Sequence, residues 1–282
     1  MQDIKLIVSD LDGTLLYHGD VSDNNFRAIK LLKENNIKFI IATGRNDNEL
    51  SLLDLHGEKF PMVMINGALV KDEKDGVISS TKINKKALLD VYKIASTYKI
   101  GTIIYTSTMR YVLYGEQLRD SFFKDIDPLE KEIFGDTFFN GLVDIDDYKD
   151  INEDIYKVEI MDAKNKKAIE EIKKKLLEIV GLSVTSSANN NVEINDYTVS
   201  KYNGLKSFMD KFGYTKEEVA VFGDSDNDLS LFENMIETYA VNNASYNIKK
   251  NAKYIVDDCK DDGFCKGIID ILLKQNGKVI LK

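Results

Sequence analysis

The chain has 282 residues and little of what would tie it to disulfides, membranes or nucleic acid. It holds two cysteines, Cys259 and Cys265, in no CxxC pair. Both are read as free thiols without a role, as a reducing cytoplasm would keep them. The two histidines, His18 and His56, have no Cys or His neighbours at ligand spacing and are read as loop or surface residues. Proline is confined to Pro61 and Pro128, so no proline-rich linker marks a boundary. No apolar run approaches the ~20 residues of a membrane span. The N-terminus has no basic segment followed by a long apolar core, so no signal peptide is expected and a cytoplasmic location is. Cations are the minority, with 38 Lys and Arg against 47 Asp and Glu and a net charge of −9. A nucleic-acid binder would show a basic face, so no nucleic-acid partner and no membrane partner are expected. Neither a G-x-G-x-x-G fingerprint nor a P-loop is present, which argues against dinucleotide and P-loop enzymes.

What is present is a globular composition, 43% hydrophobic and 30% charged, in a chain long enough for two domains. Short apolar runs at 4–8, 37–42, 62–65, 219–222 and 239–241 read as buried strands, and each empties into a polar cluster. Amphipathic helical patterns lie between them, at 24–35 and 203–212 among others. Strands alternating with helices imply an α/β fold with a doubly wound parallel sheet, whose ligands bind beyond the carboxyl ends of the strands. The middle of the chain reads differently. Hairpins at 102–105 with 111–114 and at 182–186 with 192–194, a strand at 155–161 and a charged helix at 164–180 predict an antiparallel sheet backed by helices. The second hairpin is expected to turn at 189–191. The expected organisation is a core of residues 1–81 and 196–282 with an inserted α+β cap domain of residues 82–195.

The first polar cluster is Asp10-Leu-Asp-Gly-Thr-Leu15. Residues two apart on an extended chain point the same way, so Asp10 and Asp12 are expected to project into one small space, and Gly13 lets the chain turn after them. Facing carboxylates repel unless a proton or metal intervenes. A carboxylate can attack phosphorus, so Asp10 is the candidate nucleophile and Asp12 the candidate general acid and base. An all-oxygen ligand set suits Mg²⁺. The second cluster, Ala42-Thr-Gly-Arg45, offers the Thr43 hydroxyl and backbone N–H groups around Gly44 to an anion. Arg45 is left between substrate binding and a structural ion pair.

The third cluster, Gly223-Asp-Ser-Asp-Asn-Asp228, fails as a calcium loop. With Asp224 at position one, Leu229 stands where Gly is needed and Met235 where Glu is needed. Asp224 at a strand end suits a metal ligand, Asp228 a second ligand or outer-shell partner, and Asn227 a phosphate contact. Ser225 and Asp226 are expected to face solvent or cap the next helix. Lys201 opens a helix where the chain re-enters the α/β domain and supplies a cation to a site otherwise lined by carboxylates.

These four clusters, in this order, resemble the haloacid dehalogenase superfamily of phosphotransferases, and more closely its Cof-type sugar-phosphatase branch. Asp10-Leu-Asp-Gly-Thr-Leu-Leu16 resembles the family's first motif, Ala42-Thr-Gly-Arg45 its second, Lys201 its third and Gly223 to Asp228 its fourth. Asn66-Gly-Ala68, Asn243-Ala244 and Asp262-Gly263 resemble recurring family segments. The resemblance implies that Asp10 is the nucleophile and Asp12 the acid/base. It implies that Asp10, the backbone carbonyl of Asp12 and Asp224 hold Mg²⁺, and that Thr43, Lys201 and Asn227 grip the phosphoryl group of a small phosphorylated metabolite. The family often has Lys-Gly at the third motif, where this chain has Lys201-Tyr202, and the aromatic ring is expected to narrow the space near the lysine.

Between Asp12 and Thr43 there is room for one helix and one strand, whereas the stretch from Arg45 to Lys201 far exceeds a βα repeat. The insertion therefore follows the second motif, as in the family's larger cap, which closes over the site and selects substrate. A phosphomutase would share the phosphoenzyme chemistry but usually carries its cap between the first two motifs. A non-catalytic binding protein on this scaffold would usually lack a catalytic residue. Substrate selection is assigned to the cap, with Tyr105, Tyr111, Tyr114 and residues 115–140 as candidates.

Overall fold

The computed structural model describes residues 3–51, 53, 55, 57–122, 138–186 and 190–277. His56, Pro128, Asn189 and much of the 115–140 segment lie outside the described residues. The contacts divide the chain into two units, one of Met1–Arg45, Ser51–Ser80 and Ser200–Lys282, the other of Asn46–Leu50 and Thr81–Val199. Residues 46–50, directly behind the second motif, thus pack with the inserted unit. No described helix is long and apolar enough to cross a membrane.

The first unit is a doubly wound α/β fold. Among the described residues its sheet has eight strands in the order Tyr254–Ile255, Glu237–Ala240, Val219–Gly223, Leu6–Ser9, Lys38–Ala42, Met62–Met64, Leu69–Lys71 and Val77–Ser80. The first six run parallel, and the last two add an antiparallel edge that a purely parallel expectation did not contain. Leu6–Ser9 is the switch point, because the chain winds one way from it to Lys38–Ala42 and returns on its other side at Val219–Gly223. The space beyond the carboxyl end of such a strand is where loops diverge and a ligand can sit.

Both sheet faces are covered, which explains why the parallel strands read as continuous apolar runs. Leu6, Val8, Ile40, Ala42, Val63, Val219 and Val221 pack with Leu205, Phe208 and Met209 of the helix Lys201–Phe212. Phe39 and Phe222 pack on Phe264 of the helix Gly263–Asn276. The helix Asp23–Glu34 starts where expected, with the Ser22 side chain accepting from the Asn25 backbone N–H. A small hairpin, Leu16–Tyr17 with Asp20–Val21, follows the first motif. His18 sits at its turn and is exposed.

The second unit carries six strands among the described residues, in the order Leu142–Asp144, Arg110–Leu113, Thr102–Tyr105, Lys157–Met161, Asn191–Asp196 and Leu182–Thr185. All pairings are antiparallel except that of Leu142–Asp144 with Arg110–Leu113. One face packs Ile104, Val158, Ile160, Val192 and Ile194 against Leu88 and Val91 of the helix Lys85–Tyr98 and Ile169 and Ile172 of the helix Lys166–Leu176. The register puts Tyr105, Arg110, Lys157, Glu159 and Glu193 on the other face, all buried. Tyr111 and Tyr114, by contrast, pack onto the apolar cluster that includes Ile104. Across the central strands both faces are thus withdrawn from water, and one of them carries buried charge.

Candidate active site

Asp10 follows the switch-point strand directly, its backbone N–H donating to the Phe222 carbonyl at 3.0 Å. Its side chain is buried. Lys201, fully buried, donates to Asp10 Oδ1 at 2.6 Å and to Asp228 Oδ1 at 2.7 Å. A lysine at a helix N-terminus opposes the helix dipole. Here two carboxylates hold it there. Asp228 spends its other oxygen on backbone, with Oδ2 accepting from the N–H groups of Asp224 at 3.0 Å and Ser225 at 3.2 Å. Ser225 caps the short turn Asp226–Asp228, and Asp226 is exposed and accepts from the Ser245 hydroxyl. Asp224 accepts from the Thr14 hydroxyl and the Ser225 hydroxyl, both at 2.9 Å.

Asp10, Asp224 and Asp228 each offer an oxygen, and these oxygens lie within 4.8 Å of one another. One ammonium faces three carboxylates. Burial pushes the Asp10 carboxyl well above the usual carboxylate range, Lys201 pulls it back, and Asp228 and Asp224 push it further up. Burial and Asp228 raise Asp224 as well. For Lys201, burial works to lower the pKa, and the pull of Asp10 and Asp228 outweighs it, so the ammonium stays charged. The excess negative charge and the all-oxygen donor set fit a hard divalent cation.

Asp12 differs from Asp10. The strand ends at Ser9, so the period-two alternation no longer governs where the Asp12 side chain goes. Its carboxylate is about half exposed (54%) and is clamped by Arg45, with Nε to Oδ2 at 2.8 Å and Nη2 to Oδ1 at 2.6 Å. Arg45, left open between two roles by sequence, makes an ion pair. Gly13 is required twice over. Its φ is +82°, and a Cβ there would come within 2.7 Å of Asp224 Oδ2.

Thr43 is buried and Gly44 follows it, with Asn66 Oδ1 lying 3.1 Å from where a Gly44 Cβ would sit. Asn227 donates from Nδ2 to Asn66 Oδ1 at 3.2 Å. The ring of Tyr202 does not crowd the lysine. It packs on the apolar core and lies under Lys216, 5.0 Å from its ammonium. Asn66, Thr14 and Asn243 were not singled out as site residues from sequence. Asn243 bridges the first-motif turn, donating to the Gly13 carbonyl at 2.7 Å and accepting from the Cys259 N–H. The sequence signals for Asn66 and Asn243 are their position in a polar cluster after an apolar strand and the resemblance of Asn66-Gly-Ala68 and Asn243-Ala244 to recurring family segments.

A family model described as haloacid dehalogenase-like hydrolase matches residues 7–268. The 5-amino-6-(5-phospho-D-ribitylamino)uracil phosphatase YcsE of Bacillus subtilis is 28% identical over 94% of this chain and 95% of its own length. A solved haloacid dehalogenase-like hydrolase from B. subtilis superposes with a TM-score of 0.82 at 26% identity, covering 94% of this chain and 99% of that one. The solved sugar phosphatase BT4131, of haloacid dehalogenase subclass IIB, shares the fold with a TM-score of 0.75 at 20% identity, over 97% of this chain and 99% of its own.

Proposed function

This chain belongs to the haloacid dehalogenase-like hydrolase family and is a phosphatase of its Cof-type branch, and from that premise we propose that it hydrolyses small phosphate monoesters with Mg²⁺ through an aspartyl-phosphate on Asp10. The observation that carries this reading is the buried Asp10, paired with Lys201 at the switch-point strand end beside Asp224 and Asp228. A buried carboxylate next to a cation and an oxygen cluster is poised to attack an anionic electrophile once that electrophile's charge is balanced.

In this reading Asp10, the Asp12 carbonyl and Asp224 would hold the cation directly. Asp228 backs them, its oxygens already committed to Lys201 and backbone N–H groups. When bound, Mg²⁺ would neutralise charge on the attacking carboxylate and on the phosphoryl oxygens. The Thr43 hydroxyl, the backbone at Gly44, the Lys201 ammonium and the Asn227 amide orient the phosphoryl group. An Asp10 oxygen forms a bond to phosphorus as the ester P–O bond breaks, and Asp12 gives its proton to the leaving alcohol. Asp12 then takes a proton from water, whose oxygen bonds to phosphorus while the Asp10–phosphorus bond breaks, releasing inorganic phosphate. For this Asp12 must turn from Arg45. That movement breaks a bidentate pair whose carboxylate stands about half exposed to water.

The substrate class is a small phosphorylated metabolite, and the compound named for the B. subtilis phosphatase is the first to assay. Asp10→Asn should reduce turnover of a generic aryl phosphate by more than about 10³-fold while leaving the melting temperature within a few degrees. A variant that keeps near-normal rates would remove Asp10 as the nucleophile.

A further inference from the structure

The strand Met62–Met64 ends in three consecutive residues with left-handed backbone, Ile65 at φ 50°, Asn66 at φ 58° and Gly67 at φ 100°. Residues other than glycine visit this region singly, and a β-branched side chain there is a true outlier. Surroundings must impose such a conformation, and imposed strain concentrates where geometry matters to function.

Contacts from the segments read here as the phosphoryl grip hold it in place. The Ile65 N–H donates to the Arg45 carbonyl at 3.1 Å, and the Asn66 N–H to the Thr43 carbonyl at 3.0 Å. Gly67 lies so close to the start of the helix Lys201–Phe212 that a Cβ on it would be 2.1 Å from the Ser200 carbonyl oxygen. From the helix side, a Cβ on Gly204 would be 2.9 Å from Gly67 Cα. Asn66 Oδ1 reaches the remaining segment, accepting from Asn227 Nδ2 over the open side of Gly44. One turn thus touches the Thr43–Gly44 backbone, the helix that carries Lys201, and Asn227.

We propose that Asn66 is a positioning residue for phosphate recognition, held left-handed so that its carbonyl oxygen fixes the Asn227 amide with the N–H₂ side toward the phosphoryl group. The inference rests on the reading of Asn227, Thr43 and Lys201 as the phosphoryl grip. An amide N–H₂ has two donors. One goes to Asn66, which leaves the other for a phosphoryl oxygen. Without the Asn66 acceptor the Asn227 amide is free to turn over and present its own oxygen, which repels that group.

The test compares Asn66→Gly, Asn227→Ala and the double variant, with an aryl phosphate as substrate and inorganic phosphate as a binding probe followed by the shift in melting temperature. Glycine accepts positive φ, so N66G removes the side chain and keeps the backbone. The expected result is that N66G lowers kcat/KM about tenfold, the scale of one lost hydrogen bond to a charged group, and that the phosphate-induced shift shrinks in N66G and N227A alike. In the N227A background N66G should change kcat/KM less than about twofold, because both act through one amide. Equal losses in the two backgrounds, an unchanged N66G, or an N66G that no longer melts cooperatively would each overturn the inference while leaving Asp10 as the nucleophile. An N227A variant with normal kcat/KM would overturn the phosphate grip itself, and the inference with it.

Discussion

Burying a carboxylate or an ammonium alone costs several kcal/mol. Asp10, Lys201 and Asp228 share that cost by facing one another. The sharing is incomplete, which is why the Asp10 and Asp224 carboxyls are pushed up. The same physics acts in the same direction on the neighbouring thiol. Cys259 is buried beside Asp258 and Asp224, and burial first, then those charges, push its thiol up to about 11. The thiolate is the reactive form, and at pH 8 a thiol with that pKa is ionised to about one part in 10³. Iodoacetamide labelling of Cys259 in the native protein should therefore be slow at pH 8 and accelerate steadily to pH 11. Rapid labelling at pH 8, read by peptide mass spectrometry, would contradict this environment.

At the scale of elements, strand ends do the assembling. Each functional group stands one to five residues beyond a parallel strand or on the first turn of a helix, so the rigid sheet sets the distances and the loops choose the chemistry. The sheet of the second unit shows a different economy. Its charged face buries Lys157 with Glu159 at 3.6 Å and Glu193 at 3.8 Å, while the Tyr105 hydroxyl donates to Glu159 at 2.8 Å. For Lys157, burial lowers the pKa, and Glu193 and Glu159 more than restore it, so the folded value lies above the ordinary one. A cation raised in the folded state stabilises fully below the unfolded pKa of about 10.4 and loses that contribution as pH rises through the folded value. Lys157→Met should cost about 3 kcal/mol at pH 8, because it removes the buried cation that balances the charge of Glu159 and Glu193. The difference between wild type and variant in urea denaturation should shrink above pH 11. An equal difference at both pH values would show that the packing of the lysine stem, not its charge, is what matters.

For the whole molecule, a cation held by the cluster at the switch point would couple its binding to folding. A ligand that binds only the folded state stabilises it by RT ln(1 + [L]/Kd), about 2.7 kcal/mol at a hundredfold excess over Kd. Mg²⁺ should raise the melting temperature, EDTA should abolish both the rise and phosphatase activity, and Asp224→Asn should remove most of the rise. A melting temperature indifferent to Mg²⁺ would count against the cluster as a metal site.

Local sequence determined a good deal about this protein. Apolar runs that break into Asp, Thr-Gly and Gly-Asp clusters dictate buried parallel strands with functional loops at one edge, because alternation, turn chemistry and burial are properties of neighbouring residues. They dictate Asp10 at a strand end and the doubly wound fold. The antiparallel edge of Leu69–Lys71 and Val77–Ser80 is not legible in the sequence because both strands mix apolar with polar residues and the outer one is half exposed, so neither forms an apolar run. Tertiary structure alone decided the rest. It turned Asp12 outward to Arg45, sent the Tyr202 ring to the core beneath Lys216, and delivered Asn66 to Asn227 across 161 residues of chain. Those are contacts between distant segments, set by how strands order themselves in a sheet and how closely Gly67 and Gly204 let a helix approach. No window of sequence contains that information.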